Sequence, residues 1–135
     1  MITPIEHART KEASNKYKVE PYVIAADVYG AQNLAGCGGW TWYTGSSSWY
    51  YLAGIQYILG LRIYHNTLSF APCIPKDWEE YRMRFKYGES IYNIKVKNVN
   101  KNNTKITQVF LDGNEIENKI KLDDSRKIYH IEVIL

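Results

Sequence analysis

Cysteine is almost missing from this chain, which has 2 in 135 residues. Cys37 stands in a glycine-rich stretch and Cys73 between two prolines. Neither lies at metal-ligand spacing, so no metal site is expected and both thiols are expected to stay reduced. A concentrated charge of one sign is also missing. The net charge of +3 comes from lysines scattered mainly over the C-terminal half, not from a basic arm, which argues against nucleic acid as a partner. No hydrophobic run is long enough to span a bilayer, since Tyr50 to Leu59 is short and rich in Tyr and Gly. Met1-Ile2-Thr3-Pro4 does not read as a secretory signal, and the expected location is the cytoplasm, with no membrane partner. Repeats and low-complexity tracts are absent as well.

What is present is apolar and aromatic. With 45% hydrophobic residues, the chain has material for a core of single-domain size. Its 12 Tyr and 4 Trp are many for this length, and three of the Trp fall in Gly38-Gly39-Trp40-Thr41-Trp42-Tyr43-Thr44-Gly45-Ser46-Ser47-Ser48-Trp49, a run of small hydroxylated residues boxed in by aromatics. It leads into Tyr50 to Leu59, which lacks proline and charge and reads as a buried helix closed by Gly60. A Thr-Gly-Ser-Ser-Ser turn entering a helix leaves backbone N–H groups unpaired at the positive end of the macrodipole, a corner able to hold an anion. The aromatic neighbours suit the apolar face of a sugar ring. Serine and threonine are also the usual helix N-caps, and a cap buried under aromatics without any ligand accounts for the same residues.

Along the chain, Pro4 to Ser14 reads as a short helix with Lys11 to Lys16 as its polar exit, and Pro21 to Gly30 as a second helix with proline in the first turn. After Gly60 the period changes from about 3.6 to 2. Leu61 to Tyr64 and Thr67 to Phe70 form a hairpin around His65-Asn66. Tyr81, Met83, Phe85 and Tyr87 alternate with Arg82, Arg84 and Lys86, and beyond Gly88-Glu89 a partner strand places Tyr92, Ile94 and Val96 on one face. Lys105 to Leu111, the Asp112-Gly113 turn, Ile116 to Leu122 and Lys127 to Leu135 complete an antiparallel two-sheet sandwich.

Four blocks in order, namely Glu20 to Tyr29, Gly38 to Gly45, Ile58-Leu59-Gly60-Leu61 and Pro72-Cys73-Ile74-Pro75-Lys76-Asp77-Trp78, resemble the C-terminal end of glycoside hydrolase family 94. That family contains inverting β-glucoside phosphorylases and the phosphorylase-like region of cyclic β-1,2-glucan synthetases. Pro4-Ile5-Glu6-His7-Ala8-Arg9-Thr10 and Trp40-Thr41-Trp42-Tyr43-Thr44-Gly45 look more like its β-1,2-glucan branch. The resemblance implies an α+β chain in which residues 1–60 are the last helices of an (α/α)6 barrel and 61–135 an antiparallel jelly-roll-like β-sandwich.

It also implies phosphate contacts for Thr44 and Gly45, with Trp40, Trp42 and Tyr43 as candidate sugar-pocket aromatics. Phosphorolysis needs an acid for the leaving oxygen and a phosphate on the opposite face of the sugar. In the family that acid, and the other phosphate ligands, lie upstream of the region this chain resembles. No catalytic residue is nominated here, since nothing pairs Asp27, Asp77, Asp123 or Asp124 with a second carboxylate. His7, His65 and His130 read as surface or capping residues. The expected function is that of a C-terminal piece of a β-glucan phosphorylase or synthetase, with phosphate and β-glucan oligosaccharide as partners, no cofactor, and no activity alone. The alternative is a noncatalytic sandwich that binds carbohydrate or protein. Helices cut from a barrel leave apolar faces uncovered, so a homo-oligomer is expected.

Overall fold

The computed structural model describes residues 4–20, 23–42 and 44–135, with the backbone alone for Pro4 and Thr44. The chain divides into two compact units, Met1–Leu52 and Ala53–Leu135.

In the first unit, α1 (Pro4–Ala8) and α2 (Lys11–Tyr17) replace the single helix expected from Pro4 to Ser14. Thr10 causes the break. Its backbone is extended and its side chain accepts the Ala13 N–H at 3.1 Å, which starts a new helix. Lys11 to Lys16, expected as a polar exit, is instead the body of α2. The helix closes at Lys18, whose left-handed backbone turns its N–H onto the Ser14 carbonyl at 3.0 Å. The buried Tyr17 ring stacks on the His7 ring with centroids 4.1 Å apart, tying α1 to α2.

The helix expected over Pro21 to Gly30 does not form in its described part; Pro21 and Tyr22 lie outside the described residues. From Val23 onward the chain is non-helical and pairs with the segment returning to Trp40. Val28 bridges Gly38. The Tyr29 N–H donates to the Cys37 carbonyl, the Gly39 N–H to Asp27 and the Ala26 N–H to Trp40, at 2.9, 2.9 and 2.7 Å. Apolar residues at helical spacing were outweighed by the glycines at 30, 36, 38 and 39, which permit a tight return and close backbone approach. At Gly39 a Cβ would stand 2.2 Å from the Asp27 carboxylate. The unit ends in α3 (Thr44–Leu52), so Thr-Gly-Ser-Ser-Ser lies inside the helix and not in a turn before it.

The second unit opens with a π-helix (Ala53–Ile58), in which the Leu59 N–H reaches back to the Gly54 carbonyl at 2.9 Å. The buried helix expected from Tyr50 to Leu59 is therefore two elements, and it is largely exposed. Tyr51, Tyr57 and Ile58 face solvent, while Ile55 packs on the core of the second unit. Gly60 stops it with a φ of +75°, at a point where a Cβ would meet the Ala71–Pro72 backbone within 2.5 Å.

Two sheets follow. The hairpin β1 (Leu61–Tyr64) and β2 (Thr67–Phe70) forms as expected and pairs with β7 (Ile120–Lys121) in an antiparallel three-stranded sheet. The other sheet contains β3 (Glu80–Tyr87), β4 (Ser90–Lys97), β5 (Gln108–Leu111), β6 (Asn114–Ile116) and β8 (Ile128–Ile134), in the order β3-β4-β8-β5-β6. The strand expected at Ile116 to Leu122 is thus two short strands in different sheets. Asn118 lies between them. Its side chain accepts the Phe70 N–H and donates to the Phe70 carbonyl, both at 2.8 Å, and so replaces a ladder pair. The antiparallel expectation also fails at one place, because β4 and β8 run parallel. Sequence distance explains this: residues 98–127 separate them, enough for a crossover.

Both sheets contribute to one core, with Leu61, Leu68, Phe70 and Ile74 on one side and Tyr92, Ile94, Val96, Ile131, Val133 and Leu135 on the other. Each such side chain fully removed from water contributes about 1.5 to 3 kcal/mol. At the rim, the Asp123 carboxylate accepts from the Tyr129 hydroxyl at 2.6 Å and the Ser125 hydroxyl at 2.8 Å, while the Tyr92 hydroxyl accepts the Asp123 N–H at 2.9 Å. The Tyr129 bond first, and then Ser125, hold the Asp123 carboxyl below its ordinary value of 3.8. A depressed folded value stabilises the fold above the ordinary value, and that contribution disappears as pH falls through the depressed one. Acid titration of the unfolding midpoint is therefore expected to fall below pH 3.8, and less steeply in Asp123→Asn. Identical acid profiles for the two proteins would contradict this assignment.

Candidate functional site

The stretch that carries the candidate contacts sits where the paired segments of the first unit meet α3. Its position follows from two acidic side chains. Asp27 accepts the Trp40 N–H through Oδ1 at 3.2 Å, and Glu20 accepts the Trp42 indole N–H through Oε1 at 3.1 Å. A backbone N–H at Glu20 first, and then the Trp42 indole and Thr41, hold the Glu20 carboxyl below its ordinary value. Trp42 has a left-handed backbone, with a φ of +62°.

Trp40 and Trp42 are 72% and 64% exposed. Gly45, the second residue of α3, is exposed, and Thr44 is the first residue of that helix. Tyr43 and the Thr44 side chain lie outside the described residues. The first turn of α3 holds no acidic residue of its own, so no side-chain carboxylate within that turn offsets the partial positive charge of the helix start. The arrangement provides backbone donors at a helix N-terminus beside two exposed indole faces, chemistry suited to an anion and a sugar ring.

The other residues weighed from the sequence fall elsewhere. His65 is in the β1–β2 turn and stacks edge-on with Tyr64. Asp123 belongs to the tyrosine and serine cluster, and Asp124 accepts the Glu89 N–H. Both cysteines are free. Among the described residues no group of three or more His, Cys, Asp or Glu is placed to hold a metal, and no helix is long and apolar enough to cross a membrane.

Sequence reasoning missed a second feature, on the five-stranded sheet. Its face turned away from the core borders a cavity of about 890 Å³ lined by Arg82, Arg84, Asn93, Lys95, Phe110 and His130, among others. Register aligns them in rows: Arg84 opposite Asn93 and Asn93 opposite His130, then Arg82, Lys95, Glu132 and Phe110 in the next row. The alternation of Arg82, Arg84 and Lys86 was visible as a solvent face. Only the parallel joining of β4 and β8 brings His130 beside Asn93.

Comparison with known proteins gives the geometry its context. Residues 1–60 match the glycosyl hydrolase 94 superfamily, catalytic domain, and residues 61–127 match the glycosyl hydrolase family 65, C-terminal domain. The likeness to the glycosyl hydrolase 94 superfamily is thus carried by residues 1–60, and the sheets carry a likeness to family 65. The boundary between the matches, after Gly60, and that between the compact units, after Leu52, enclose the π-helix. Among relatives, the chain is 40% identical over 109 residues to the cyclic beta-(1,2)-glucan synthase NdvB of Rhizobium meliloti (strain 1021), covering 81% of this chain and 4% of that protein. It is 34% identical over 98 residues to the solabiose phosphorylase of Paenibacillus borealis, covering 72% and 13%. It is 31% identical over 102 residues to the N,N'-diacetylchitobiose phosphorylase of Vibrio proteolyticus, covering 75% and 13%. The chain thus spans 4% to 13% of the length of these three relatives.

Proposed function

We propose that this chain contributes the C-terminal part of a β-glucan phosphorylase or cyclic β-1,2-glucan synthase, with phosphate and a β-glucan oligosaccharide as substrates of the whole enzyme. The observation that carries the reading is Thr44-Gly45 opening α3 within the segment matched to the glycosyl hydrolase 94 catalytic domain, with no acidic residue in that first turn. In this reading the helix start and the Thr44 hydroxyl hold phosphate, and Trp40, Trp42 and Tyr43 border the sugar. Residues up to about Gly60 are the end of an (α/α)6 barrel, and the two sheets that follow are a jelly-roll-like sandwich.

The general acid of phosphorolysis has no candidate in this chain. Asp27, Asp123 and Asp124 each hold a backbone or side-chain donor in the fold. The 135 residues alone are therefore expected to lack turnover. Incubation with phosphate and cellobiose or β-1,2-glucooligosaccharides tests this, and reproducible release of glucose 1-phosphate would overturn it.

In a full-length enzyme containing this segment, Thr44→Val removes a hydrogen bond to an anion worth about 1.5 to 3 kcal/mol. The apparent affinity for phosphate is expected to fall by roughly 10- to 100-fold, and an unchanged value would remove Thr44 from the site.

The first unit leaves Trp40, Trp49 and Tyr51 at 72%, 74% and 67% exposure, and burial of such side chains contributes about 1.5 to 3 kcal/mol each. Where the remainder of a barrel is not present to cover them, the chain is expected to self-associate, most simply as a two-fold dimer through its helical part. Light scattering at micromolar concentration checks this; a concentration-independent mass of 15.7 kDa would refute it.

A further inference from the structure

The outward face of the five-stranded sheet carries more positive than negative charge, and the pairing pattern leaves part of it unspent. Arg82 and Lys95 both converge on the Glu80 carboxylate, at 3.0 and 2.8 Å, so two cations share one anion. Lys95 first, with Arg82, holds the Glu80 carboxyl below its ordinary value. Lys97 is matched by Glu132 at 2.8 Å. Arg84, in the middle of β3, has no ion pair among the described residues, and its row continues through Asn93 to His130. An exposed guanidinium without a carboxylate, beside an amide and an imidazole, is a planar donor set suited to a carboxylate or phosphate.

The rest of the cavity extends away from that anion position. Phe110 lies on β5, three strands from β3 in the order β3-β4-β8-β5, or about 14 Å at the usual 4.8 Å strand spacing. A single ring or a free anion cannot reach both Arg84 and Phe110, whereas an extended oligosaccharide can. The volume of about 890 Å³ lies in the range that holds such ligands. Phe110 offers an apolar surface for a sugar face, and Asn93, His130 and Glu132 offer donors and acceptors for hydroxyls.

We propose that this face binds an oligosaccharide bearing an anionic group, with Arg84 on the anion and Phe110 against a sugar ring two or three units away. The occupant is a glycan and not a nucleic acid or a membrane, because the positive surplus is confined to the β3–β4 side and the β5 side of the cavity lining offers an aromatic ring, Phe110. The proposal goes beyond the reading of Thr44 and Gly45, which lie in the first unit, and does not depend on it.

Calorimetric titration of the 135-residue chain tests it with three probes: a trisaccharide of glucuronic acid, a neutral β-glucan trisaccharide and inorganic phosphate. The acidic trisaccharide is expected to bind at least about tenfold more tightly than either of the others. Arg84→Gln is expected to weaken it by about tenfold or more, while leaving the circular dichroism spectrum and the neutral probe unchanged, since the side chain is exposed. Thr44→Val is expected to leave acidic-trisaccharide binding unaltered, which separates this face from the helix start. Equal binding of the acidic and neutral trisaccharides, phosphate binding to Thr44→Val as strong as that of the trisaccharide, full affinity in Arg84→Gln, or no binding of the acidic probe would each overturn the proposal.

Discussion

The parallel pairing of β4 with β8 is the contact on which the second unit depends. Seven residues of each strand lie in register, from Ile91 beside Ile128 to Lys97 beside Ile134. That register sets Tyr92, Ile94 and Val96 next to Tyr129, Ile131 and Val133, so two alternating strands become one continuous apolar face over the core. A slip of β8 by one residue would turn Tyr129, Ile131 and Val133 to solvent and bring His130 and Glu132 inward. The hydrogen bonds of Asp123 with Tyr129 and Tyr92 lock the edge of the same pair, with the two tyrosine rings stacked 4.8 Å apart. Ordering β8 also creates the edge on which β5 and then β6 assemble.

The same register has a consequence on the opposite face. Side chains alternate across a strand, so the arrangement that buries Ile94 and Ile131 necessarily places Asn93, Lys95, His130 and Glu132 side by side on the opposite face. The polar face is a by-product of core formation in its placement but not in its composition. Lysine and arginine there keep the β3 edge from pairing with other strands, since charged edges resist such addition. The unmatched Arg84 is more than that role requires.

In the first unit the controlling constraint is backbone freedom. Glycines at 30, 36, 38 and 39 let the chain turn back on itself, and Asp27 and Glu20 then hold the returning segment through Trp40 and Trp42. These bonds deliver the chain to the start of α3 and leave both indoles outward. The exposed aromatics of α3 are the counterpart, because a short helix with apolar side chains on several faces has more surface than one small unit can cover.

The sequence by itself determined the hairpin at Leu61 to Phe70, the strands at Glu80 to Lys97 and the closing strand ending at Leu135, since strict alternation and the His65-Asn66 and Gly88-Glu89 turns are local signals. Its ordered motifs also carried the likeness to glycoside hydrolase family 94. It did not show that β8 lies parallel to β4, that Ile116 to Leu122 divides between two sheets, or that Val23 to Gly30 is not helical. Each of these depends on a partner distant in the chain: β4 for β8, Phe70 for Asn118, and Cys37 to Trp40 for Ala26 to Tyr29. The Thr44-Gly45 motif and its aromatic neighbours were legible as residues, whereas their anchoring by Glu20 and Asp27 and the row of Arg84, Asn93 and His130 were not. Periodicity reports which face a side chain takes within its own element, and only long-range hydrogen bonding decides which elements share that face.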